Sequence, residues 1–286
     1  MNVLIICFSQ TGNTQKLADR ISKGIVDSGN KCSTIEMKHA NIDEIPDYEL
    51  MGIGTPTFFY REPVNVKTFI QKIPKQDGKH CFLFCSHGSI MGNTLYYMQE
   101  QLKEKGYVVI GTFDSYADAS LQFYPKVWHT AGHPDEIELN KAQQFGRSIC
   151  DVSARIQNGE QNLIPEFQLI EDTWWAEASK KMTLESLRQV FPKFSINQDR
   201  CSQCLICQEN CPVDAIDMEA DPPDIQKEGC IFCLYCEKAC PEGAIEGDWT
   251  LIKKVTRGNL EKYVTALKEA ETEGKFRPYL DYEKII

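Results

Sequence analysis

Residues 2–14 read Asn-Val-Leu-Ile-Ile-Cys-Phe-Ser-Gln-Thr-Gly-Asn-Thr, an apolar run followed at once by a loop of small polar residues. The run from Asn2 to Phe8 predicts a buried strand, and the residues after the loop predict an amphipathic helix. Backbone amides of such a turn, a helix N-terminus and hydroxyl groups all donate to phosphate oxygens. The loop from Ser9 to Thr14 therefore predicts a phosphate site.

The composition of this loop argues against two common classes of nucleotide site. It holds no lysine, unlike a P-loop, and it lacks the G-x-G-x-x-G pattern of Rossmann dinucleotide sites. An ordinary helix start, capped by Asn13 or Thr14, is the alternative interpretation of the same residues.

The rest of the first half, to about residue 155, alternates short apolar runs with amphipathic stretches, which predicts a parallel sheet wrapped by helices. The predicted strands are Asn2–Phe8, Lys31–Glu36, Tyr48–Gly54, His80–Ser86 and Tyr107–Phe113. The predicted helices are Thr14–Ser28, Pro63–Gln71, Asn93–Glu104 and Asp135–Asn158. We therefore expect an α/β fold with a doubly wound, five-stranded parallel sheet, which binds ligands at the carboxyl ends of its strands.

Two further loops follow predicted strands at the same edge of this sheet. Residues 54–61 contain three consecutive aromatic residues, Phe58, Phe59 and Tyr60, and residues 85–93 are small enough for backbone to approach a planar ring. Taken singly, aromatic residues in a loop more often cover the core. Because all three loops share one edge, we expect one shared ligand.

These residues carry a family resemblance. Residues 1 to about 150 resemble a flavodoxin, whose first-loop motif S/T-x-T-G-x-T is matched by Ser9 to Thr14. The resemblance implies an FMN cofactor, with its phosphate held by Ser9, Gln10, Thr11, Gly12, Asn13 and Thr14. It implies that Thr55, Pro56, Thr57 and one of Phe58, Phe59 or Tyr60 cover one side of the flavin ring. Ser86, His87, Gly88 and Gly92 would line the other side.

The chain has 13 cysteines, and their distribution is uneven. Five are scattered through the first half and are interpreted as buried thiols: Cys7, Cys32, Cys81, Cys85 and Cys150. The other eight lie between Cys201 and Cys240 in two copies of the pattern C-x₂-C-x₂-C-x₃-C-P, offset by 29 residues. So many thiols in a chain without a secretory leader indicate metal or redox chemistry, not a disulfide scaffold.

The repeated pattern, over residues 196 to 250, resembles the bacterial-type two-cluster ferredoxins. In that family the fourth cysteine of each run binds the other cluster. The resemblance implies a first 4Fe–4S cluster on Cys201, Cys204, Cys207 and Cys240, and a second on Cys230, Cys233, Cys236 and Cys211. Structural zinc is the alternative, but it would leave the third cysteine and the Cys-Pro ends of each run unexplained.

The pattern divides the chain into four predicted segments. They are a flavodoxin-like FMN domain at 1–158, a helical linker at 159–195, a small α+β two-cluster ferredoxin domain at 196–250 and a C-terminal helical extension at 251–286. The linker is predicted to hold one helix, Thr173 to Val190, that packs against one or both domains, with the pair Trp174-Trp175 in the core or between domains. The extension is predicted to hold one helix from Leu251 to Glu273.

Charge separates the two halves. The net charge is −10, which makes a general nucleic-acid or anionic-membrane surface unfavourable. Residues 1–150 hold 15 basic and 16 acidic groups, whereas residues 196–250 hold three basic and twelve acidic groups. The acidic surface over the clusters predicts a redox partner protein with a basic docking surface. The longest apolar run near the start is far shorter than the ~20 residues of a membrane span, so a cytoplasmic protein is expected.

The order of the segments resembles the flavodoxin–ferredoxin fusion proteins. This implies an electron-transfer protein that passes low-potential electrons between two 4Fe–4S clusters, FMN and a partner protein. The alternative is a flavin-dependent reductase of a small substrate, fed by the clusters, with His87 as a proton donor. A head-to-tail homodimer is a further expectation.

Overall fold

The protein is described by a computed structural model over residues 1–119 and 128–282. Residues 120–127 of the predicted FMN domain and residues 283–286 of the predicted C-terminal extension lie outside the described residues. The chain divides into two compact units. The first comprises Met1–Asp118 and Thr130–Ser179, and the second comprises Ala119–His129 and Lys180–Ile286.

The first unit is built on a five-stranded parallel sheet with the strand order β2-β1-β3-β4-β5. The strands are Asn2–Cys7 (β1), Lys31–Glu36 (β2), Leu50–Pro56 (β3), Lys79–His87 (β4) and Tyr107–Tyr116 (β5). The predicted five-stranded, doubly wound parallel sheet is confirmed. The three inner strands β1, β3 and β4 are almost wholly buried because helices cover both faces of the sheet, whereas the edge strand β2 is largely exposed.

Successive side chains of each strand point to opposite faces of the sheet, and a separate hydrophobic core lies on each face. Leu4 and Ile6 lie in one core with Ile53, and Val3 and Ile5 lie in the other. The helices are Asn13–Asp27 (α1), Val64–Lys72 (α2), Thr94–Glu104 (α3) and Glu136–Gln157 (α4). Apolar residues of α2 and α3 enter the first core, and those of α1 and α4 enter the second, so the sheet is covered on both faces.

The second unit contains the two cysteine runs and reproduces their 29-residue repeat. Its short strands are Ser195–Ile196 (β6), Ile216–Asp217 (β7), Asp224–Ile225 (β8) and Ile245–Glu246 (β9). β6 pairs with β9 and β7 pairs with β8, both antiparallel. Each pair therefore joins one repeat to the other, and the two repeats fold around each other.

The remaining helices are Trp174–Lys181 (α5), Leu184–Val190 (α6), Ile206–Glu209 (α7), Tyr235–Ala239 (α8), Thr250–Gly258 (α9) and Leu260–Thr272 (α10). None of the helices within 1–119 and 128–282 is both long and apolar enough to cross a bilayer.

Two predicted helices are each interrupted. The prediction of one helix from Thr173 to Val190 is wrong, because Thr183 starts a new helix there by accepting a hydrogen bond from the Ser186 amide at 3.2 Å. A side-chain cap of this kind favours a helix start over a helix interior. The prediction of one helix from Leu251 to Glu273 is also wrong, because α9 ends at Gly258, a poor helix former, and α10 begins after Asn259.

Candidate functional site

The loop after β1 ends in Gly12, which has a φ of +86° and starts α1 without a side-chain cap among the described residues. The alternative interpretation of this loop, a helix start capped by Asn13 or Thr14, is therefore wrong for the described residues. Thr14 Oγ1 instead lies 2.7 Å from Ser86 Oγ, and Asn13 Nδ2 donates to the Asp118 carbonyl oxygen at 3.1 Å. The first turn of α1 holds no acidic residue, so no carboxylate of that turn would compete with an anion for its amides.

The remaining polar residues of this loop are Ser9, Gln10 and Thr11. Ser9 Oγ accepts a hydrogen bond from the Gln15 amide at 3.1 Å. Gln10 is buried, and its Nε2 has no hydrogen-bond partner within the described part of the chain. A buried donor without a partner is costly, and a bound acceptor group would satisfy it. Thr11 is half-buried at the same turn.

The loop after β3 makes a tight turn with two aromatic residues at its tip. Phe58 and Arg61 exchange backbone hydrogen bonds at 2.9 and 3.1 Å across this turn. Between them, Phe59 and Tyr60 have φ values of +52° and +67°. Two-residue turns with both φ values positive ordinarily contain Asn-Gly, and bulky residues in this region are outliers that cluster at functional sites.

The three consecutive aromatic residues have different surroundings. Phe58 packs against the core, with its ring 6.1 Å from that of Phe8 in an edge-to-face contact. The Tyr60 ring instead contacts Trp174 and Trp175 at the start of α5. Phe58 therefore covers the core, whereas Phe59 and Tyr60 lie at the tip of the loop.

The loop after β4 adjoins both others, as the shared edge predicts. The Thr14 hydroxyl bonds to that of Ser86, and the Thr57 amide donates to the Ser86 carbonyl oxygen at 2.8 Å. The Asn93 amide donates to the Tyr60 carbonyl oxygen at 2.9 Å. The structure thus brings the three predicted loops together at the carboxyl edge of the sheet.

The loops after β3 and β4 approach each other so closely at Gly92 that only glycine fits there. Its φ is +67°, and a Cβ atom there would lie 2.2 Å from the Tyr60 carbonyl oxygen. Thr57 Oγ1 lies 2.9 Å from Thr94 Oγ1 beside it, and Thr94 Oγ1 donates to the Met91 carbonyl oxygen at 2.8 Å. Ser89 Oγ is buried without a hydrogen-bond partner among the described residues, a second polar atom that a ligand would satisfy.

His87 is buried beneath this loop, and its ring is engaged on every side. Nδ1 lies 3.0 Å from the Gly88 carbonyl oxygen, and Nε2 lies 3.2 Å from Asp114 Oδ2. The Tyr116 ring packs edge-on with its centroid 4.5 Å away. Both nitrogens thus already have oxygen partners, which favours a structural role over that of a proton donor to a substrate.

Four of the five scattered cysteines are buried as predicted, Cys7, Cys81, Cys85 and Cys150, whereas the prediction is wrong for Cys32, which is only partly buried because it lies on the edge strand β2. Cys85 is fully buried on β4, and burial, followed by the nearby Asp114 carboxylate, raises the pKa of its thiol well above the ordinary value. Burial likewise raises the pKa of Cys7 and of Cys81. A thiol attacks as the thiolate, so these residues behave as small apolar groups.

The first predicted set of cluster ligands lines one cavity of the second unit. Cys201, Cys204, Cys207 and Cys240 all face it, together with apolar side chains that include Ile196 and Met218. Burial raises the pKa of Cys207, and the charges of Cys201 and Cys240 raise it further. Cys240 belongs to the second run in the sequence, so its side chain has crossed to the first.

The second predicted set is also brought together across the two runs. Burial raises the pKa of Cys236, and the charges of Cys233, Cys230 and Cys211 raise it further. The same two thiols, Cys230 and Cys211, raise the pKa of Cys233 in addition to burial. Cys211, which ends the first run, thus lies with the thiols of the second.

The backbone around both sets has the same local conformation. Gln203, Leu205 and Asp214 have positive φ values, and so do the residues 29 positions later, Phe232, Leu234 and Gly243. This conformation aims amides at sulfur: the Gln203 amide donates to Cys201 Sγ at 3.4 Å, and the Phe232 amide donates to Cys230 Sγ at 3.3 Å. The Ala215 and Ala244 amides donate in the same way to Cys211 and Cys240, at 3.3 and 3.2 Å. Such bonds stabilise thiolates and tune the potential of a cluster held by them.

The two sets differ in their surroundings. Ser202, Gln203, Cys204 and Leu205 are exposed, whereas the equivalent residues Ile231, Phe232, Cys233 and Leu234 are buried. The Phe232 ring packs against Phe191 at 5.0 Å and Phe194 at 6.3 Å. The sequence shows that Ser-Gln in the first run is replaced by Ile-Phe in the second. It does not show that Phe191 and Phe194 of the linker pack against Phe232, because that contact depends on the fold.

Arg188 of α6 adds a charge beside the second set. Its guanidinium donates to the Glu228 carbonyl oxygen. Burial raises the pKa of Cys230, and the charge of Arg188 acts in the opposite direction. No motif singles out Arg188, because its role depends on where α6 packs.

Comparison with known proteins agrees with both halves of this description. The family profile described as Flavodoxin matches residues 5–123, and the profile described as 4Fe-4S dicluster domain matches residues 193–241. A flavodoxin of Clostridium beijerinckii is 30% identical over 151 residues, which cover 52% of this chain and 99% of that protein. A flavodoxin of Megasphaera elsdenii is 27% identical over 113 residues, covering 38% and 82%. A solved flavodoxin structure from the domain Archaea superposes with a TM-score of 0.43 and 20% identity, covering 55% of this chain and 99% of that one.

The N-terminal match spans nearly the whole length of the Clostridium beijerinckii relative. The C-terminal match contains all four thiols of the first run and the four of the second. The chain therefore belongs to the flavodoxin family through its N-terminal half and continues into a 4Fe–4S dicluster domain, as a flavodoxin–ferredoxin fusion.

Proposed function

We propose that this protein is an electron carrier that holds one FMN and two 4Fe–4S clusters and exchanges electrons with a redox partner protein. The observation that carries the proposal is the cavity that Cys201, Cys204 and Cys207 of one run share with Cys240 of the other, in the same chain as a flavodoxin fold; the influence of Cys211 on the thiols of the second run supports the second set. In this proposal residues 1–158 form the FMN domain and residues 196–250 the cluster domain. The segments 159–195 and 251–286 are a helical linker and a helical extension.

The residues at the sheet edge fit FMN. Gln10 Nε2 and Ser89 Oγ are buried polar atoms that lack a partner among the described residues, and a Cβ at Gly12 would meet open space. The phosphate is assigned to the loop Ser9, Gln10, Thr11, Gly12, Asn13 and Thr14. One side of the ring is assigned to Thr55, Pro56, Thr57 and either Phe59 or Tyr60, and the other to Ser86, His87, Gly88 and Gly92.

The thiols fit two cubane clusters better than zinc. A structural zinc site uses four ligands, usually as two C-x₂-C pairs, whereas here three thiols of one run and one of the other converge twice. Backbone amides donate hydrogen bonds to the sulfur atoms of Cys201, Cys230, Cys211 and Cys240, and hydrogen bonds to the sulfurs are one means by which a protein tunes a bound cluster. When bound, FMN supplies one- or two-electron chemistry and each cluster supplies one-electron chemistry.

The exposed cysteine loop is the proposed contact with the partner. Cys204 and Leu205 reach the surface there, and the exposed carboxylates of Asp199, Glu209 and Glu242 belong to the same unit. A basic surface complements this charge, and electrons cross most readily where the distance is short. The second set, behind Phe191 and Phe232, is the interior one. The head-to-tail homodimer stays a prediction.

Anaerobically prepared protein is expected to contain about eight irons, about eight sulfides and about one FMN per chain. Metal analysis, sulfide analysis and flavin release by acid measure these contents. As a control, Thr11→Ala should weaken FMN binding and leave the iron content unchanged. Four irons, or zinc in place of iron, would contradict the assignment of two clusters.

Electron transfer to a basic acceptor protein is expected to slow as salt rises. Charges separated by more than the Debye length, about 10 Å at 0.1 M salt, are largely screened. Stopped-flow kinetics from 0.02 to about 0.5 M salt measure the slope. The double variant Glu209→Gln with Glu242→Gln should flatten it, whereas Asp77→Asn, an exposed acid of the first unit, should not. Transfer rates that are independent of salt would reject the acidic contact.

A further inference from the structure

The segment that follows α4 returns to the loops of the flavin site within the first unit. Asn93 is buried and joins this segment by two hydrogen bonds with the backbone of Ile170. Asn93 Nδ2 donates to the Ile170 carbonyl oxygen at 2.8 Å, and the Ile170 amide donates to Asn93 Oδ1 at 3.1 Å. This pairing joins residues 77 positions apart and fixes the path of the segment at that point.

The same segment then places two indole rings on the tip of the aromatic loop. The Trp174 ring lies 5.6 Å from the Tyr60 ring in an edge-to-face contact, and the Trp175 ring lies 6.3 Å from it in a tilted one. These separations are within the favourable range for aromatic pairs. We call residues 170–175 the strap.

The turn that the strap covers is the strained one. Phe59 and Tyr60 hold positive φ values, which bulky residues keep only when their surroundings fix them. Besides the backbone hydrogen bonds between Phe58 and Arg61, the contacts that fix the turn include the Asn93 amide on the Tyr60 carbonyl oxygen and the indoles on the Tyr60 ring. Asn93 thus holds the turn through its backbone and the strap through its side chain.

We propose that the strap is an added wall of the flavin site, with Asn93 and Trp174 as positioning residues that hold the Phe59–Tyr60 turn against the ring of FMN. The inference rests on the proposed function, because the turn is assigned to the flavin ring there. Its consequence is that the linker, beyond connecting the two halves, sets FMN affinity and the flavin potentials. A flavodoxin-like sheet with its three loops alone lacks this contact.

The test measures FMN binding to full-length apoprotein by flavin fluorescence, together with the visible circular dichroism and the reduction potentials of bound FMN. Trp174→Ala should weaken binding about threefold to tenfold, the worth of one good aromatic contact, and should change both the dichroism and the potentials. Trp174→Phe should restore most of the affinity. Asn93→Ala should have the larger effect, because it frees the strap and leaves the Ile170 groups without their side-chain partner.

Trp128→Ala is the matched control. Trp128 is a buried tryptophan of the second unit that packs against Tyr263, so its loss should leave FMN affinity within about twofold and should not alter the flavin spectrum. Far-ultraviolet circular dichroism and iron content check that each variant is folded. If FMN affinity, dichroism and potentials are unchanged in both Trp174→Ala and Asn93→Ala, the proposal that the strap is a wall of the flavin site is overturned. Wild-type apoprotein that takes up no FMN would instead overturn the proposed function and the strap with it.

Discussion

Replacing Cys211 by alanine is expected to remove the second cluster and to spare the first. Cys211 stands at the end of the first run, yet its thiol lies with Cys230, Cys233 and Cys236. Without Cys211 the second cluster would have only three cysteine ligands. A cluster with three ligands loses iron or does not form. The iron content should fall by about one to four atoms per chain, and the resonance signal of one reduced cluster should vanish or change.

The crossed arrangement predicts which variants resemble each other. Electron paramagnetic resonance of reduced Cys211→Ala should match that of Cys233→Ala, and Cys240→Ala should match Cys204→Ala. An arrangement without crossing would pair Cys211→Ala with Cys204→Ala instead. Cys32→Ala, a half-exposed thiol of the first unit, serves as the control and should keep both signals. Spectral identity of Cys211→Ala with Cys204→Ala would reject the crossed sets.

Sequence patterns predicted the parallel sheet for physical reasons, whereas the crossed cysteine sets were implied by the resemblance to two-cluster ferredoxins and stay a prediction. Buried parallel strands such as Val3–Cys7 read as continuous apolar runs, because helices cover both of their faces. The cysteine repeat is similarly informative, since ligand spacing within a short loop is set by local geometry. The offset of 29 residues relates even the positive φ values of Leu205 and Leu234.

Features that depend on distant contacts were not predictable. Asn93 looks like an ordinary residue before a helix, and only the fold brings Ile170 to its side chain. His87 looked available as an acid, whereas the fold buries it between Gly88 and Asp114. The tight turn at Phe59–Tyr60 was also missed, because propensity assigns two positive φ values to Asn-Gly and not to a pair of aromatic residues.

The two cysteine runs show how a small sequence difference becomes a difference in role. Ser202-Gln203 and Ile231-Phe232 occupy equivalent positions, and the first pair is exposed while the second is buried. Phe191 and Phe194 of the linker cover Phe232, and Arg188 adds a positive charge near Cys230. A nearby cation favours the more negative, reduced state of a cluster, whereas burial away from water disfavours it. The aromatic cover and Arg188 therefore act in opposite directions on the potential of the interior site, as they do on the pKa of Cys230.

Gly92→Ala is expected to lower FMN affinity by about 100-fold and to destabilise the first unit. The positive φ of this residue alone costs about 1–2 kcal/mol once a Cβ is present. The new methyl group would also lie 2.2 Å from the Tyr60 carbonyl oxygen, so the loops that end β3 and β4 must move apart. That movement would break the hydrogen bond from the Asn93 amide to the Tyr60 carbonyl oxygen and release the turn that is proposed to cover the flavin ring.

Gly29→Ala separates these two effects. Gly29 follows α1 with a φ of +86°, and a Cβ there would meet nothing within 4 Å. It should therefore lose a similar backbone contribution to the free energy of unfolding, measured by urea denaturation, and keep its FMN affinity. Flavin fluorescence titration of both variants, with iron content as the check on the second unit, decides the matter. If the Gly92→Ala and Gly29→Ala variants bind FMN with equal affinity, the close approach of the loops after β3 and β4 does not shape the flavin site. Backbone strain alone would then account for the whole effect of Gly92→Ala.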